Sequence, residues 1–256
     1  MNDYEQITEN ITDFLDEKLQ ESGSEGFEVG VSGGIDSALT LKLAVRTAGS
    51  ENVSALIMPG KSSKEENMED ARELADSLDV EYRKIDIEPA VKAVKAQESR
   101  EIGEVSTGNI RARTRMIYEY LEANEQDKLV LGTGNRTEIL LGYYTKYGDG
   151  AADLLPIADL YKTEVRELAE HLGIDKKFIE KAPTAGLWEG QTDEDELGAT
   201  YEIMDEILKH LVDENLSVPE VAEQLDIDPD EVERFQMMHQ KTEHKRKMPE
   251  SPDLKH

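Results

Sequence analysis

The sequence predicts an α/β fold in which helices cover both faces of a parallel sheet, with a helical extension at the C-terminal end. Short apolar runs alternate with segments of helical periodicity up to about residue 192, and a glycine-rich turn follows the first run. Only helical patterns occur after that point. The length suits one large domain with an appendage. We therefore expect a single domain over residues 1–256, with an α/β core at about 1–192 and a helical part at about 193–256.

The predicted strands are short apolar runs bounded by turn-forming residues. In chain order they are FEVGVS (27–32), NVSALIMPG (52–60), VEYRKIDI (80–87), KLVLGT (128–133) and DLLPIADL (153–160), the last with its exit loop. Apolar residues at helical spacing predict helices before and between these strands, at residues 5–19, 38–49, 63–78, 89–98, 107–124 and 161–173. Parallel sheets bind ligands at the carboxyl ends of their strands, so functional residues are expected there.

One segment of the helical part, SVPEVAEQLDIDPDEVERFQMMH (217–239), resembles half of a helix-turn-helix unit. Its charged residues are nearly all acidic: Glu220, Glu223, Asp226, Asp228, Asp230, Glu231 and Glu233. DNA phosphates would repel such a surface. We predict that the segment forms packed helices and does not read DNA.

The charge balance of the whole chain excludes a nucleic-acid partner. There are 57 acidic and 29 basic residues, for a formal net charge of −28, and the acids are spread along the chain. Binding of a phosphate backbone requires clusters of basic residues. Two interpretations of the acidity stay open. One is a salt-rich cytoplasm, whose counterions screen the repulsion, and the other is simply a solvated surface.

Cysteine is absent, which excludes disulfides, zinc–thiolate sites and thiolate nucleophiles. The N-terminal sequence MNDYEQITEN is acidic and lacks the apolar core of a signal peptide. No apolar run reaches the length of a membrane span. We therefore expect a cytoplasmic protein that has no membrane partner.

The glycine-rich turn reads SGGIDS (32–37) and joins the first predicted strand to a helix. It matches neither the Walker pattern nor the dinucleotide-binding G-x-G-x-x-G pattern. Its two glycines let the backbone approach an anion, and the N-terminus of the following helix offers free N–H groups. Asp36 would repel bound phosphates unless a divalent metal lay between them. The alternative is a capped turn, in which Ser and Asp side chains only satisfy the start of the helix.

This turn resembles the pyrophosphate-binding loop of the N-type ATP pyrophosphatases, whose fold is Rossmann-like (adenine nucleotide alpha hydrolase-like). Three further stretches resemble the ammonia-dependent NAD synthetases of that superfamily. They are GTGNRTEILLGYYTKYGDGAADLLPIADLYKTEVRELA (132–169), KAPTAGLWEGQTDEDELG (181–198) and HKRKMP (244–249). The resemblance runs from about residue 5 to 249.

The resemblance implies an ATP-dependent ligase that forms a C–N bond. ATP would adenylate the nicotinate carboxylate of deamido-NAD with loss of pyrophosphate, and ammonia would then displace AMP to give NAD. It implies Mg²⁺ as cofactor, a homodimer, and small-molecule substrates with no nucleic-acid or membrane partner. Two rivals stay open: another ATP pyrophosphatase that amidates a different carboxylate or carbonyl, and a non-catalytic nucleotide-binding regulator with a decayed site.

The resemblance also implies roles for individual residues. ATP would be bound by Gly30, Val31, Ser32, Gly33, Gly34, Ile35, Asp36, Ser37, Thr133, Lys162 and Thr184. Deamido-NAD would be bound by Arg113, Lys146, Asp153, His244 and Lys245. Asp36 and Glu138 would hold the metal, and Asp36, Lys162 and Asp153 would be catalytic. The loop at 183–196 would close over the site.

Several of these residues have simpler interpretations. Without the resemblance, Glu138 is best explained as an acid that stabilises a helix N-terminus, and Lys162 as an exposed helix lysine. Asp153 is a candidate base for ammonium, although substrate binding alone explains it more simply. Trp188, within the 183–196 loop, is either lid packing or a dimer contact. Asn135, Arg136 and Thr137 receive no role, because the family varies at those positions.

Overall fold

The computed structural model describes residues 3–182, 192–252 and 254. In these residues the strands form one parallel sheet: β1 (Gly26–Gly30), β2 (Val53–Ile57), β3 (Glu81–Lys84) and β4 (Lys128–Leu131). Their order is β3-β2-β1-β4, so the chain places β2 and β3 on one side of β1 and then returns to place β4 on the other side. This reversal opens a crevice at the carboxyl ends of β1 and β4, where parallel sheets bind ligands. The predicted α/β class is confirmed.

Helices cover both faces of the sheet. Those of the α/β core are α1 (Tyr4–Ser22), α2 (Ile35–Ala48), α3 (Glu65–Ser77), α4 (Glu88–Lys95), α5 (Glu104–Gln126), α6 (Arg136–Leu141), α7 (Lys162–His171) and α8 (Lys176–Ile179). Side chains alternate between the faces, as a strand requires. Phe27 and Val29 pack into the large core with α1, α2, α3 and α7. Leu56 on β2 packs against residues of α4 and α5 on the other face.

The fifth predicted strand, at residues 153–160, is wrong. Only an isolated parallel bridge between Leu131 and Leu154 forms there. The Asp153 carboxylate accepts the Val130 N–H at 2.8 Å, a donor that a continuing ladder would pair with a backbone carbonyl. Pro156 follows two residues after the bridge and has no N–H to donate. The sheet therefore ends at β4.

The C-terminal part is helical, as predicted. Its helices are α9 (Asp193–Leu197), α10 (Tyr201–Leu208), α11 (Val218–Leu225) and α12 (Pro229–Lys241), with one π-turn at Lys209–Asp213. They enclose a second apolar core that includes Tyr201 and Phe235, and α6 joins this core through Leu140 and Leu141. Within the described ranges, none of the helices combines the length and apolarity that crossing a bilayer requires.

An ionisable residue, Glu28, lies in the middle of β1 with no exposed surface. It faces α5, and one carboxylate oxygen accepts a hydrogen bond from the Ser54 hydroxyl. The other oxygen, Oε1, has no hydrogen-bond partner. Burial raises the pKa of Glu28 well above its ordinary value, and the charge of Glu119 adds to the rise.

This burial predicts a pH dependence of stability. The pKa of Glu28 is higher in the folded than in the unfolded state, so the folded state is favoured when Glu28 is protonated. This contribution to stability is complete at a pH below the unfolded-state pKa, and it is lost as the pH rises towards the folded-state pKa. Between these two pKa values the free energy of unfolding falls by about 1.4 kcal/mol per pH unit, which lowers the Tm by roughly 3–5 °C per pH unit. Glu28→Gln removes this titration, so its Tm relative to the native chain should increase from pH 5 to pH 8. Thermal melts of both, with exposed Glu25→Gln as control, measure this; a constant difference across that range would contradict it.

Candidate active site

A cavity of about 890 Å³ opens at the carboxyl ends of β1, β2 and β4. Eleven of the residues predicted for the site line it, namely Gly30, Val31, Ser32, Gly34, Ile35, Asp36, Ser37, Thr133, Glu138, Lys162 and Lys245. Gly33, Arg113, Lys146, Asp153 and His244 are not among its lining residues. Thr184 and Trp188 lie outside the described residues. The cavity is therefore built around the SGGIDS turn and the acids and lysine opposite it.

The SGGIDS turn joins β1 to α2 and is held by its own hydroxyl groups. The Ser37 hydroxyl donates to the Gly34 carbonyl at 3.0 Å and accepts the Ser32 N–H at 3.2 Å. Gly34 is the N-cap of α2, and no side-chain hydrogen bond caps the helix there. The serines thus hold the turn together, but they do not cap α2 as the capped-turn interpretation requires. The first N–H groups of α2 therefore stay available to an anion.

Two glycines lie close to neighbouring helices here, and a backbone contact makes glycine necessary at Gly33. Gly33 has φ +81°, and a Cβ on it would lie 2.1 Å from the Asn67 carbonyl oxygen on α3. A Cβ on Gly30 would lie 2.0 Å from Glu119 Oε1 on α5. The turn is therefore clamped between the two helices, and its backbone is open towards the cavity.

Asp36, on the first turn of α2, is paired with two residues from other elements. Lys162 Nζ lies 2.5 Å from its Oδ2, and Asn135 Nδ2 donates to its Oδ1 at 2.9 Å. Lys162 is only 2% exposed, so it is not an exposed helix lysine. Its Nζ also lies 5.2 Å from the centre of the Tyr201 ring, on α10. Burial lowers the pKa of Lys162, but the charges of Asp36 and Glu138 raise it more, so the ammonium stays charged.

Glu138 completes this cluster from the first turn of α6. Burial and the neighbouring Asp36 charge raise its pKa to about 8. Its side chain also accepts the Asn135 N–H at 3.2 Å, while Asn135 Oδ1 accepts the Glu138 N–H at 3.0 Å. The helix-capping interpretation of Glu138 is therefore correct as far as it goes. It does not explain why two half-buried carboxylates line the same cavity, an arrangement that favours a cation between them.

The donor set fits Mg²⁺. This ion takes oxygen ligands, and proteins commonly supply one or two carboxylates while water and substrate phosphates complete the octahedron. Asp36 and Glu138 provide two such carboxylates beside a turn that is open to phosphates. In the part of the chain that the structure describes, no group of three or more acidic, histidine or cysteine side chains could hold a metal by itself. A site of this kind binds the metal together with its polyphosphate substrate.

Sequence reasoning missed four residues around this cluster. Asn135 and Thr137, to which no role was assigned, have no exposed surface. Asn135 holds Asp36, while the Thr137 hydroxyl accepts the Lys162 N–H at 3.1 Å. Asp193 and Tyr201 approach from the C-terminal part, with the Tyr201 hydroxyl donating to Asp193 at 3.0 Å. The pattern Asn135-x-x-Glu138 was a usable signal, since it is the side-chain pair of a capping box.

Four of the predicted deamido-NAD residues lie together near the cavity. Arg113 donates to the Lys146 carbonyl at 3.2 Å, and Lys146 Nζ donates to the His244 carbonyl at 2.6 Å. Lys245 Nζ binds the backbone carbonyls of residues 142 and 144, each at 2.6 Å. These contacts tie the chain after α12 to α5 and to the 142–150 segment. The structure does not bring Asp153 into this group, because its carboxylate binds the β4 backbone and, at 3.3 Å, the Tyr120 hydroxyl.

Comparison with known proteins gives consistent matches along the whole chain. The family described as NAD synthase matches residues 7–249. A curated NH(3)-dependent NAD(+) synthetase from Thermococcus kodakarensis is 49% identical over 252 residues, which cover 98% of each chain. Two solved structures cover 99% of this chain and 100% of their own. One is an NMN synthetase from Francisella tularensis (TM-score 0.88, 37% identity). The other is an NH3-dependent NAD synthetase from Campylobacter jejuni in complex with the nitrate ion (TM-score 0.84, 36% identity).

The matches agree with the geometry of the site. The family region contains the SGGIDS turn, the Asp36–Lys162–Glu138 cluster and the basic residues after α12. The chain belongs to the NAD synthase family.

Proposed function

We propose that the chain is a ligase that amidates deamido-NAD with ammonia at the expense of ATP, giving NAD, AMP and pyrophosphate. One observation carries this proposal. The Asp36–Lys162–Glu138 cluster lies beside an uncapped helix N-terminus at the crevice of the sheet. The match to the NAD synthase family over residues 7–249 agrees with it. The rival of a decayed regulator does not account for a buried lysine kept charged by two acids.

The reaction has two steps, and the chain's own residues serve both. A nicotinate carboxylate oxygen attacks the α-phosphorus of ATP, and the bond to pyrophosphate breaks. Ammonia then attacks the carboxyl carbon, AMP leaves, and a proton is released. The N–H groups at the start of α2 and the Lys162 ammonium stabilise the charge that develops on the phosphates in the first step.

We propose that Asp36 and Glu138 hold Mg²⁺ in this site. When bound, the ion would neutralise the phosphate oxygens and make the α-phosphorus a better electrophile. Without a metal, burial and the Asp36 charge raise the pKa of Glu138 and so disfavour its ionised form. A bound cation reverses this preference, so metal binding should release a proton.

We propose that Arg113, Lys146, His244 and Lys245 bind deamido-NAD, whose phosphates require positive charge in a protein of net charge −28. Their mutual contacts near the cavity support this assignment. The assignment of Asp153 to substrate binding and catalysis stays a prediction. Both of its carboxylate oxygens already accept hydrogen bonds, so it is a poor candidate for the base that deprotonates ammonium.

We propose a homodimer as the working unit. Ile117 and Leu121 lie one turn apart on α5 and are 59% and 52% exposed. Two exposed apolar side chains on adjacent turns of a long helix are suited to burial against a second copy. The cytoplasmic location stays a prediction from the sequence.

A second candidate function is the amidation of nicotinate mononucleotide. The likeness to an NMN synthetase (TM-score 0.88 at 37% identity) favours it, because the same chemistry applies to a substrate without the adenylate half. The rate of AMP formation should be measured with ATP, Mg²⁺, ammonium and either deamido-NAD or nicotinate mononucleotide. We expect a higher kcat/KM for deamido-NAD. A preference for the mononucleotide would establish the second candidate, and ADP with phosphate as products would contradict both.

The absence of cysteine also predicts the nitrogen donor. Glutamine amidases of related synthetases use a cysteine nucleophile, and this chain has none. NAD formation should therefore depend on ammonium and increase with pH in proportion to the ammonia fraction. The measurement offers ammonium chloride or ammonia-free glutamine to the purified chain. Comparable rates from glutamine would contradict the prediction.

A further inference from the structure

The side chain of Lys181, which follows α8, reaches three acceptors on two other elements. Its Nζ lies 3.0 Å from the Gly33 carbonyl oxygen in the SGGIDS turn and 3.1 Å from Asn67 Oδ1 on α3. It also binds the carboxylate of Asp70, on the same face of α3. The side chain is 20% exposed and lines the cavity. A single ammonium therefore joins α3, the turn and the chain after α8.

The Gly33 carbonyl needs such a partner. Gly33 lies so close to the Asn67 carbonyl that an added Cβ would be 2.1 Å from its oxygen. The φ of Gly33 is +81°, a conformation that few other residues adopt. The peptide group between Gly33 and Gly34 directs its oxygen towards Lys181. If that oxygen turned into the cavity, its partial negative charge would repel a polyphosphate.

We propose that Lys181 is a positioning residue for ATP: it fixes the Gly33 peptide so that the turn presents N–H groups, and no carbonyl, to the phosphates. The inference rests on the proposed function, since it takes the SGGIDS turn as the phosphate site. Lys181 acts through Gly33, and its effect is therefore already present before any ligand binds. This property separates it from a lysine that only attracts the phosphates.

Lys177 provides a matched control. Its Nζ binds the same Asp70, with 2.9 Å to Oδ1, and it also binds Glu73 at 2.5 Å. Its hydrogen bonds and ion pairs within the described residues include none to the SGGIDS turn. Lys177→Met and Lys181→Met each remove one positive charge and one ion pair to Asp70. Only Lys181→Met removes the contact with Gly33.

The test compares amide hydrogen exchange of the ligand-free proteins in the peptide covering residues 29–40. We expect faster exchange in Lys181→Met and no change in Lys177→Met. Calorimetry should then show that Lys181→Met weakens binding of ATP and pyrophosphate about tenfold, the value of one charge-assisted hydrogen bond. Adenosine binding, and the KM for deamido-NAD, should stay within twofold of the native chain. Lys177→Met should keep native affinity for all of these ligands.

Unchanged exchange in ligand-free Lys181→Met would overturn the inference, even if its ATP affinity fell, because the lysine would then act on the phosphates directly. Equal effects of both variants would also overturn it and leave only a structural role for the Asp70 pair. Faster exchange with native ATP affinity would show that the turn is not the phosphate site. Failure of the proposed function is distinguishable, because the native chain itself would then release no AMP when it is given ATP, deamido-NAD and ammonium.

Discussion

Asp36→Asn is expected to lower turnover by about a hundredfold or more while the protein stays folded. The residue lies on the first turn of α2, is 17% exposed and faces the cavity, so the isosteric amide disturbs no apolar packing. An amide is neutral and therefore binds Mg²⁺ much more weakly than a carboxylate does. Loss of a metal that stabilises transition-state charge costs several kcal/mol, and each 1.36 kcal/mol is about tenfold in rate.

Turnover should be measured as AMP release over a titration of Mg²⁺, with circular dichroism to check the fold. Glu138→Gln should behave similarly, because its amide oxygen still accepts the Asn135 N–H and preserves the cap of α6. Asp13→Asn, on the exposed surface of α1, is the control for a changed net charge. Near-native turnover of either site variant at limiting Mg²⁺ would contradict its metal role.

Lys162→Met should reduce kcat by about 10²–10³-fold, the usual cost of removing one preorganised donor to transition-state charge. It also leaves the half-buried carboxylates of Asp36 and Glu138 without their cation, and their mutual repulsion then destabilises the fold. Because Mg²⁺ supplies the missing positive charge, we expect the Tm of this variant to depend on Mg²⁺ more steeply than that of the native chain.

Thermal melts with and without Mg²⁺, together with single-turnover assays, test both parts of this prediction. Exposed Lys176→Met, at the start of α8, is the matched control. Lys162→Arg should not restore activity, since the planar guanidinium does not fit the space of a compact ammonium between Asp36 and Tyr201. A kcat within tenfold of the native value in Lys162→Met would contradict the proposed role.

The strands, the long helices and the phosphate turn could be predicted from the sequence because each has a local signal. Apolar runs of strand length and a glycine-rich turn before a helix depend on neighbouring residues only. Helix α6 has six residues, too few for a clear apolar period, and its only signal is the capping pair Asn135 and Glu138. The predicted fifth strand was wrong because a side chain, that of Asp153, takes the place of a backbone partner.

The burial of Lys162 could not be predicted either. At the first position of α7 a lysine is ordinarily solvated. This one is covered because Tyr201, more than thirty residues later in the chain, packs over it. Contacts of this kind depend on how α7 and α10 meet, and no local pattern records that. The resemblance to the family was enough to single out Lys162 as a site residue. Only the structure explains why its buried ammonium stays charged.

The site draws on both apolar cores. Asp36 and Lys162 lie on helices of the core beneath the sheet, while Glu138 and Tyr201 lie on helices of the C-terminal core. A metal–nucleotide complex held by Asp36 and Glu138 would therefore link the two apolar cores. The bound ligand stabilises only the state in which both cores are folded and packed together. With saturating ATP and Mg²⁺ the two cores should unfold in a single cooperative transition. The cooperativity of thermal unfolding would then report whether the site is assembled.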